Sequence, residues 1–427
     1  MNFAQALADL DARQPERMVP DLSRIGALTE MLNDPQLAYP TIHVTGTNGK
    51  TTTARLTSQI LCTHGLSAGV YTSPHLESVT ERIALCDDPI PEEEFAEDYE
   101  RLLPYLQEVD GRGDRVTYFE TLTALAYLWF ADKPVGVGVF EVGMGGTWDA
   151  TNLISGDVAV LCPIALDHPE LGSTVAEVAT EKAGIIKPGK LAVGREQPED
   201  ALAVLRQRCG EVSATLLLEG RDWDLAGRLQ GIGGQTLSVR GLHDTYRDLR
   251  IHLFGEHTAR NAAAAVVGAE ALLDRPLKEE ILADAFDRFT APGRMEVTSR
   301  RPLVVLDGAH NPAGARALTA ALPEAFAWDE VRLVLAVSAN KDIEGIAGEL
   351  VPLRPTTVLA ARNDSARSAP AERVAEACRT VGLADPEIVP SVQAGLESAR
   401  SVADPRDLIL VTGSLYTVAD ARRAIIT

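Results

Sequence analysis

His43-Val44-Thr45-Gly46-Thr47-Asn48-Gly49-Lys50-Thr51-Thr52 is the stretch that decides the fold. Residues 42–44 before it are an apolar run that reads as a strand, and residues 50–61 after it read as a helix. Between them, the glycines let backbone N–H groups turn inward onto phosphate oxygens. The following helix presents its positive N-terminus to the same place. Lys50 is placed to reach β- and γ-phosphates, and the Thr51 hydroxyl can bind Mg²⁺. The full P-loop pattern has a glycine four residues before Asn48, where this chain has Val44. The segment is therefore the shorter G-T-x-G-K-T form. An ordinary strand-to-helix turn could carry the same glycines, but the strand before and the helix after supply the context that phosphate binding requires.

Outward from the loop, strand-like and helix-like segments alternate. Further strands are expected at 135–142 and 157–166, and helices at 92–109, 119–130 and 175–186. This alternation predicts an α/β domain with a largely parallel sheet. Residues 220–254 differ, being Gly-rich and partly alternating, which suggests a small antiparallel appendage. Helical patterns return at 258–273 and 279–289, and Thr290-Ala291-Pro292-Gly293 then breaks them. A chain of 427 residues is too long for one ordinary core. The expected division is a P-loop ATP-binding domain over 1–291 and a smaller Rossmann-like α/β domain over 292–427. In the second, strands are expected at 303–306, 332–337, 357–360 and 408–411.

Composition narrows the function. The net charge of −21 argues against a nucleic-acid partner, whose phosphates would be repelled. An anionic substrate must then find local positive charge in Lys, Arg, helix N-termini or metal ions. The five cysteines, Cys62, Cys86, Cys162, Cys209 and Cys378, are odd in number and widely spaced, with no C-x-x-C pair. A disulfide framework or zinc site is not expected, and a reducing compartment fits better. The N-terminal MNFAQALADLDARQPER has no apolar signal-peptide region, and no run is long enough to span a membrane. The expectation is a cytoplasmic monomer acting on small molecules.

Several polar residues stand at expected strand ends, where open parallel sheets bind ligands. Ser73, after an apolar run, is either a magnesium ligand or a turn cap. Glu141 closes the run 135–140 and is followed by Gly143-Met144-Gly145-Gly146, a backbone that a ligand can approach closely. A lone buried carboxylate is costly, which favours function. Asp167-His168 ends the next strand; a neutral imidazole can ligate a divalent metal, whereas Mg²⁺ prefers oxygen. Lys182 lies three and four residues beyond Ala179 and Val178 and shares their apolar helix face. It either snorkels to the edge or has a lowered pKa and reacts with CO₂, giving a carbamate that serves as an anionic metal ligand. Arg294 and Asp307 in the second domain read equally as ligand contacts or as structural caps.

The motifs IHVTGTNGKTTT, TSPHLESVTERI, TYFETLTALAY, FEVGMGGTWDATN, IALDH, EKAGIIKPG, GEHTARNAAAA, PGRMEV, LDGAHNPAG and VTGS follow one another in this order. Together they resemble folylpolyglutamate synthase and dihydrofolate synthase, members of the Mur ligase superfamily. The resemblance runs from about Pro20 to the C-terminus. It implies a Mur-type central P-loop domain followed by a Rossmann-like domain, with ATP and Mg²⁺ as cofactors, and it admits K⁺. By the match, Asn48, Gly49, Lys50 and Thr51 bind nucleotide phosphates. Thr51, Ser73, Glu141, His168 and Lys182 form the metal site, Lys182 as the carbamylated lysine. Asn261, Arg294 and Asp307 contact adenine, phosphate and ribose, with His310 nearby. Catalysis falls to Lys50, Lys182, His168 and Arg294. The pterin-bearing substrate is assigned to Met18, Val19, Pro20, Arg82, Thr117, Tyr118, Phe119, Glu120, Trp148, Asp149 and Ala150. Two departures stand out. Thr147-Trp148 replaces the usual Arg-Leu and changes one wall of the pterin pocket, and the segment after Asp167-His168 is one residue short.

The implied reaction joins L-glutamate to tetrahydrofolate, and to dihydropteroate as well, through an acyl phosphate. Two rivals remain: a cell-wall ligase of the same superfamily, and a non-catalytic P-loop switch. The switch leaves Glu141, His168 and Lys182 without a role.

Overall fold

The computed structural model describes residues 1–15, 19–167 and 169–426. Its first unit comprises Met1–Gly227, Leu237–Leu249 and Arg260–Phe289. The second comprises Thr290–Thr427 together with Arg228–Thr236 and Arg250–Ala259. The break near residue 290 is close to the one read from Thr290-Ala291-Pro292-Gly293. The two returning segments were not legible, because their assignment cuts through the three-stranded appendage rather than falling at its sequence ends.

The first unit is built on an eight-stranded sheet. Its strands are β1 (Thr41–Thr45), β2 (Ala68–Tyr71), β3 (Ile83–Leu85), β4 (Asp88–Pro89), β5 (Val137–Glu141), β6 (Val158–Leu161), β7 (Leu191–Gly194) and β8 (Thr215–Leu218). They lie in the order β4-β3-β2-β5-β1-β6-β7-β8. All pairs from β2 to β8 in that order are parallel, and β3 and β4 are antiparallel additions at one edge. Every residue of β1 and β5 is buried, as expected for strands covered on both faces. β1 sits between β5 and β6, and the loops after β1 and β5 leave in opposite directions across the sheet, the usual ligand position in this architecture.

One buried cluster gathers Phe95, Tyr127, Phe130 and Phe140 with residues of the N-terminal helices. A second joins Val142, Ala159, Leu161, Ile185, Ile186 and Leu205. Expected elements are trimmed for local reasons. The strand expected at 157–166 ends at Leu161, because Pro163 has no N–H to continue a ladder. The helix expected at 175–186 ends at Ala183, capped by Gly184.

The cysteine expectation is corrected. Cys62 and Cys86 form a disulfide with a Cα–Cα distance of 5.6 Å. Cys62 is in the last turn of the helix Lys50–Thr63, and the Cys86 N–H donates to Ala68 O at the start of β2. The pairing of β2 with β3 brings them together, which cysteine spacing alone does not show. Cys162, Cys209 and Cys378 are buried thiols.

Strands β9 (Asp224–Gly231), β10 (Gly234–Arg240) and β11 (Thr245–Ile251) form a three-stranded sheet in the order β11-β10-β9. Their short connections require antiparallel neighbours. The second unit's own sheet contains β12 (Glu296–Arg300), β13 (Leu303–Leu306), β14 (Val331–Leu335), β15 (Thr357–Ala360), β16 (Glu387–Ile388) and β17 (Leu408–Thr412), in the order β12-β13-β17-β14-β15-β16. It is parallel except for β12. Among the described residues, no helix is long and apolar enough to cross a membrane.

Candidate active site

The site of the first unit lies at the carboxyl ends of β1, β2, β5 and β6. Gly49 opens the helix Lys50–Thr63 at φ +90°, and having no side chain it cannot cap the first turn. The orphan N–H groups of that turn are thus left for an anion. Thr47 ties the loop to the segment after β6: its hydroxyl donates to Ala165 O at 2.8 Å, and its N–H donates to Pro163 O at 2.9 Å. Thr45 Oγ1 donates to Gly145 O at 2.9 Å, holding the Gly143–Gly146 turn against the loop.

Two lysines converge on the loop. Lys50 Nζ donates to Gly46 O at 3.0 Å and to Thr47 O at 3.3 Å. Lys182 Nζ donates to the same Gly46 O at 3.0 Å. Among the described residues, neither ammonium has a carboxylate within ion-pair distance. Lys182 is only 4% exposed. Burial, with the charge of Lys50 added, lowers its pKa to about 7. It is therefore the buried, perturbed lysine expected from its helix face. Gly146 faces Lys182's helix so closely that an added Cβ would lie 2.7 Å from Glu181 O and 2.9 Å from Lys182 O. Both lysines line a cleft with Gly46, Met144 and Asp167.

Glu141 ends β5 and is 1% exposed. Its Oε1 accepts from the Thr51 hydroxyl at 2.9 Å, and its Oε2 accepts from Ser73 N–H at 3.1 Å. The Thr51 hydroxyl and the Glu141 carboxylate thus meet as oxygen donors, the chemistry Mg²⁺ prefers, with the Ser73 backbone beside them. Among the described residues, no cluster of three His, Cys, Asp or Glu is present that could hold a metal without such help. Expected site residues His168 and Met18 lie outside the described residues.

The segments assigned to a pterin substrate divide in two. Arg82 and Tyr118 come together, the guanidinium 5.3 Å from the ring centroid. Arg82 Nε donates to His75 Nδ1 at 3.0 Å. Burial and the Arg82 charge push the His75 pKa down to about 4, so this imidazole is neutral and acts as acceptor. Phe119 packs on Tyr71, with ring centroids 5.9 Å apart. Val19 and Pro20 are exposed.

The carboxylates of Glu120 and Asp149 are committed to structure. Glu120 and Thr117 form the capping box of the helix Tyr118–Asp132, and Arg24 Nε donates to both Glu120 oxygens at 3.2 and 3.1 Å. Asp149 accepts from the Met144 N–H at 2.9 Å and the Thr151 N–H at 3.0 Å; burial raises its pKa. Ala150 O accepts from the Tyr127 hydroxyl. Trp148 packs in a small apolar cluster with Ile164, Leu171 and Val178, beside the lysine cleft.

In the second unit, Asp307 follows β13 and is 7% exposed. It accepts from the N–H groups of Met295 and Ala309, each at 2.8 Å. Burial raises its pKa, and the nearby Arg294 guanidinium opposes this. His310 Nδ1 lies 3.0 Å from Gly308 O. Asn311 caps the helix Pro312–Ala325 by accepting from Gly314 N–H. Arg294, Asp307 and His310 thus gather in one turn region, as the motifs implied.

A P-loop on a parallel sheet, with paired lysines and an oxygen donor set, defines a nucleotide-dependent ligase of the Mur type, and the family models agree. The Mur ligase middle domain matches residues 44–269, and the Mur ligase glutamate ligase domain matches residues 293–415. The dihydrofolate synthase/folylpolyglutamate synthase of Mycobacterium tuberculosis is 37% identical, covering 97% of this chain and 92% of that protein. The folylpolyglutamate synthase of Lacticaseibacillus casei is 33% identical over 100% and 99% of the two chains. The solved Mycobacterium tuberculosis folylpolyglutamate synthase complexed with ADP superposes with a TM-score of 0.95 at 36% identity, covering 99% of this chain and 98% of that one. The chain belongs to the folylpolyglutamate synthase/dihydrofolate synthase family.

Sequence reasoning missed Arg24, His75, Arg195 and Glu219. Arg24, Arg195 and Glu219 lie outside the quoted motifs, His75 lies within TSPHLESVTERI without a role of its own, and each gains its role only from what packs against it.

Proposed function

We propose that this chain is an ATP-dependent ligase that forms an amide between a folate carboxylate and the amine of L-glutamate. The observation that carries the reading is the meeting of Lys50, Lys182, Thr51 and Glu141 at the ends of β1 and β5. Lys50, which among the described residues hydrogen-bonds to carbonyl oxygens and to no carboxylate, faces the open N-terminus of its own helix, and a nucleotide triphosphate supplies the negative charge that this place accepts. The relatives' names, and a solved FPGS–AMPPCP–folate complex with a TM-score of 0.84 at 29% identity over 100% of both chains, support the substrate class.

In this reading the folate carboxylate attacks the γ-phosphorus of ATP, giving an acyl phosphate and ADP. The glutamate amine then attacks the acyl carbon and phosphate leaves. Asn48, Gly49, Lys50 and Thr51 hold the phosphates, and Lys50 offsets charge on the transferring group. Mg²⁺ would be held by Thr51, Ser73 and Glu141, with His168 as the family's further ligand, and when bound it neutralises phosphate charge. Lys182, held near neutrality by burial, is the amine suited to take up CO₂ as a carbamate. In the second unit, Arg294 serves a phosphate, Asp307 the ribose, and His310 lies beside them. Arg82, Tyr118 and Phe119, with Val19, Pro20 and Trp148, serve the pterin-bearing substrate.

The bifunctional name of the 37%-identical relative supports dihydropteroate as a second acceptor. The reading assigns the reaction to the cytoplasm.

The test is phosphate release with ATP, Mg²⁺, K⁺ and L-glutamate, with tetrahydrofolate or dihydropteroate as acceptor and mass spectrometry of the products. Glutamate on both acceptors is the expected result. Glutamate on tetrahydrofolate alone would restrict the enzyme to chain extension. Glutamate on neither would overturn the reading in favour of a cell-wall ligase.

A further inference from the structure

Arg195 follows β7 directly and is only 4% exposed. Its guanidinium serves two partners. Nε donates to Glu219 Oε2 at 2.9 Å, and Nη1 donates to Asn261 Oδ1 at 2.6 Å. Glu219, the residue after β8, has a side chain 2% exposed. It also accepts from Glu196 N–H at 2.7 Å and from Arg260 Nη1 at 2.7 Å. Burial works against its charge, but Arg195, the Glu196 amide and Arg260 outweigh it and hold Glu219 below its ordinary range.

Asn261 lies directly on the P-loop. A Cβ added to Gly49 would fall 2.5 Å from Asn261 Oδ1, so Gly49 is required here by space as well as by its φ. The Thr53 hydroxyl, one turn into the P-loop helix, reaches Asn261 O at 3.5 Å. A guanidinium has donors only. Asn261 must therefore face Arg195 with its carbonyl oxygen, and its NH₂ is turned to the other side.

We infer that Arg195 is a positioning residue for the nucleotide: anchored by Glu219, it locks the Asn261 amide in the one flip that offers the base an N–H donor. The inference rests on the proposed ATP-dependent reading and on the adenine contact that the motif resemblance implies for Asn261. It explains why a forked cation stands here. A lysine can pair with Glu219, but its single ammonium does not span both partners in one plane.

The experiment is steady-state kinetics of Arg195→Lys, Asn261→Ala and the double variant, with each substrate varied in turn. Arg195→Lys should raise the KM for ATP roughly tenfold, the usual weight of a hydrogen bond to a charged group. Its kcat, and its KM for glutamate and folate, should stay within about twofold. Asn261→Ala should raise the KM for ATP at least as much, and the double variant should be no worse than Asn261→Ala alone. Glu219→Gln, which keeps Arg195 but weakens its anchor, should give a smaller shift in the same direction and guards against a folding defect in the first variant. A normal KM for ATP in Arg195→Lys beside a raised one in Asn261→Ala would overturn the positioning role and leave the nucleotide reading standing. A normal KM for ATP in Asn261→Ala would overturn both. Loss of kcat with unchanged KM in Arg195→Lys would mark the residue as scaffold only.

Discussion

Two groups of cations stand along the same row of strand ends, one at its centre and one toward its β8 edge, and they are handled differently. At β1 and β5, Lys50 and Lys182 share the carbonyl of Gly46 and have no carboxylate partner among the described residues. At β7 and β8, Arg195 and Arg260 share the carboxylate of Glu219. In the first group burial drives Lys182 toward the neutral amine and leaves the charge of Lys50 without a carboxylate, which in a chain of net charge −21 invites an anionic ligand. With Glu196 also 3.6 Å from Arg260 the second group is balanced internally, and its influence on a ligand passes through a neutral amide. Burial alone therefore does not mark a catalytic cation; the lack of a counter-charge does.

The contrast breaks most sharply at Lys50. Lys50→Ala should lower ligation by about 10³-fold, as removal of a transition-state cation does, while thermal unfolding stays close to wild type. A fall of less than about tenfold in the phosphate-release assay would mean that the helix N-terminus suffices for the phosphates.

Lys182→Met sharpens it further. Ligation should drop by at least about 100-fold, and added bicarbonate should not restore it. The fold should nonetheless gain stability. The folded-state pKa of Lys182 is about 7, below its ordinary value of 10.5. Between those values the unfolded chain binds the extra proton, so the folded state loses ground as pH falls from 10.5 to 7. The gain from Lys182→Met should thus be greatest at pH 7 and below, and should fade toward pH 10.5 in melts followed by circular dichroism. A pH-independent difference would remove the buried-amine argument.

Effects become smaller where the charge is balanced. Glu120→Gln breaks the pairing with Arg24 and should cost about 1–3 kcal/mol in denaturant unfolding, with the folate KM moved by about twofold at most. A large rise in that KM would return Glu120 to the substrate. Smallest for catalysis is the bridge between Cys62 and Cys86. It closes a loop with a sequence separation of 24. Its loss in Cys62→Ser should lower stability by about 3 kcal/mol on the chain-entropy argument, with ligation unchanged.

Residues whose chemistry follows from local pattern were legible before the fold was known. Gly49, Lys50 and Thr51 were readable because a strand, a glycine turn and a helix suffice to define their task. Glu141 was readable as a carboxylate closing an apolar run, and Lys182 as a charge on an apolar helix face. Glu120 and Asp149 lay in the segments matched to substrate, yet their oxygens turn to their own backbone. Capping and binding call for the same side chains, and spacing does not separate them.

By itself, then, the sequence determined the parallel-sheet architecture, the phosphate loop and the family, because periodicity and turn chemistry act over a few residues. Only the tertiary structure decided which charges meet: Arg24 with Glu120, Arg195 with Glu219 and Asn261, Cys62 with Cys86. Those pairings join residues brought together by helix packing or strand order, and both are settled by packing the whole domain rather than by any one segment.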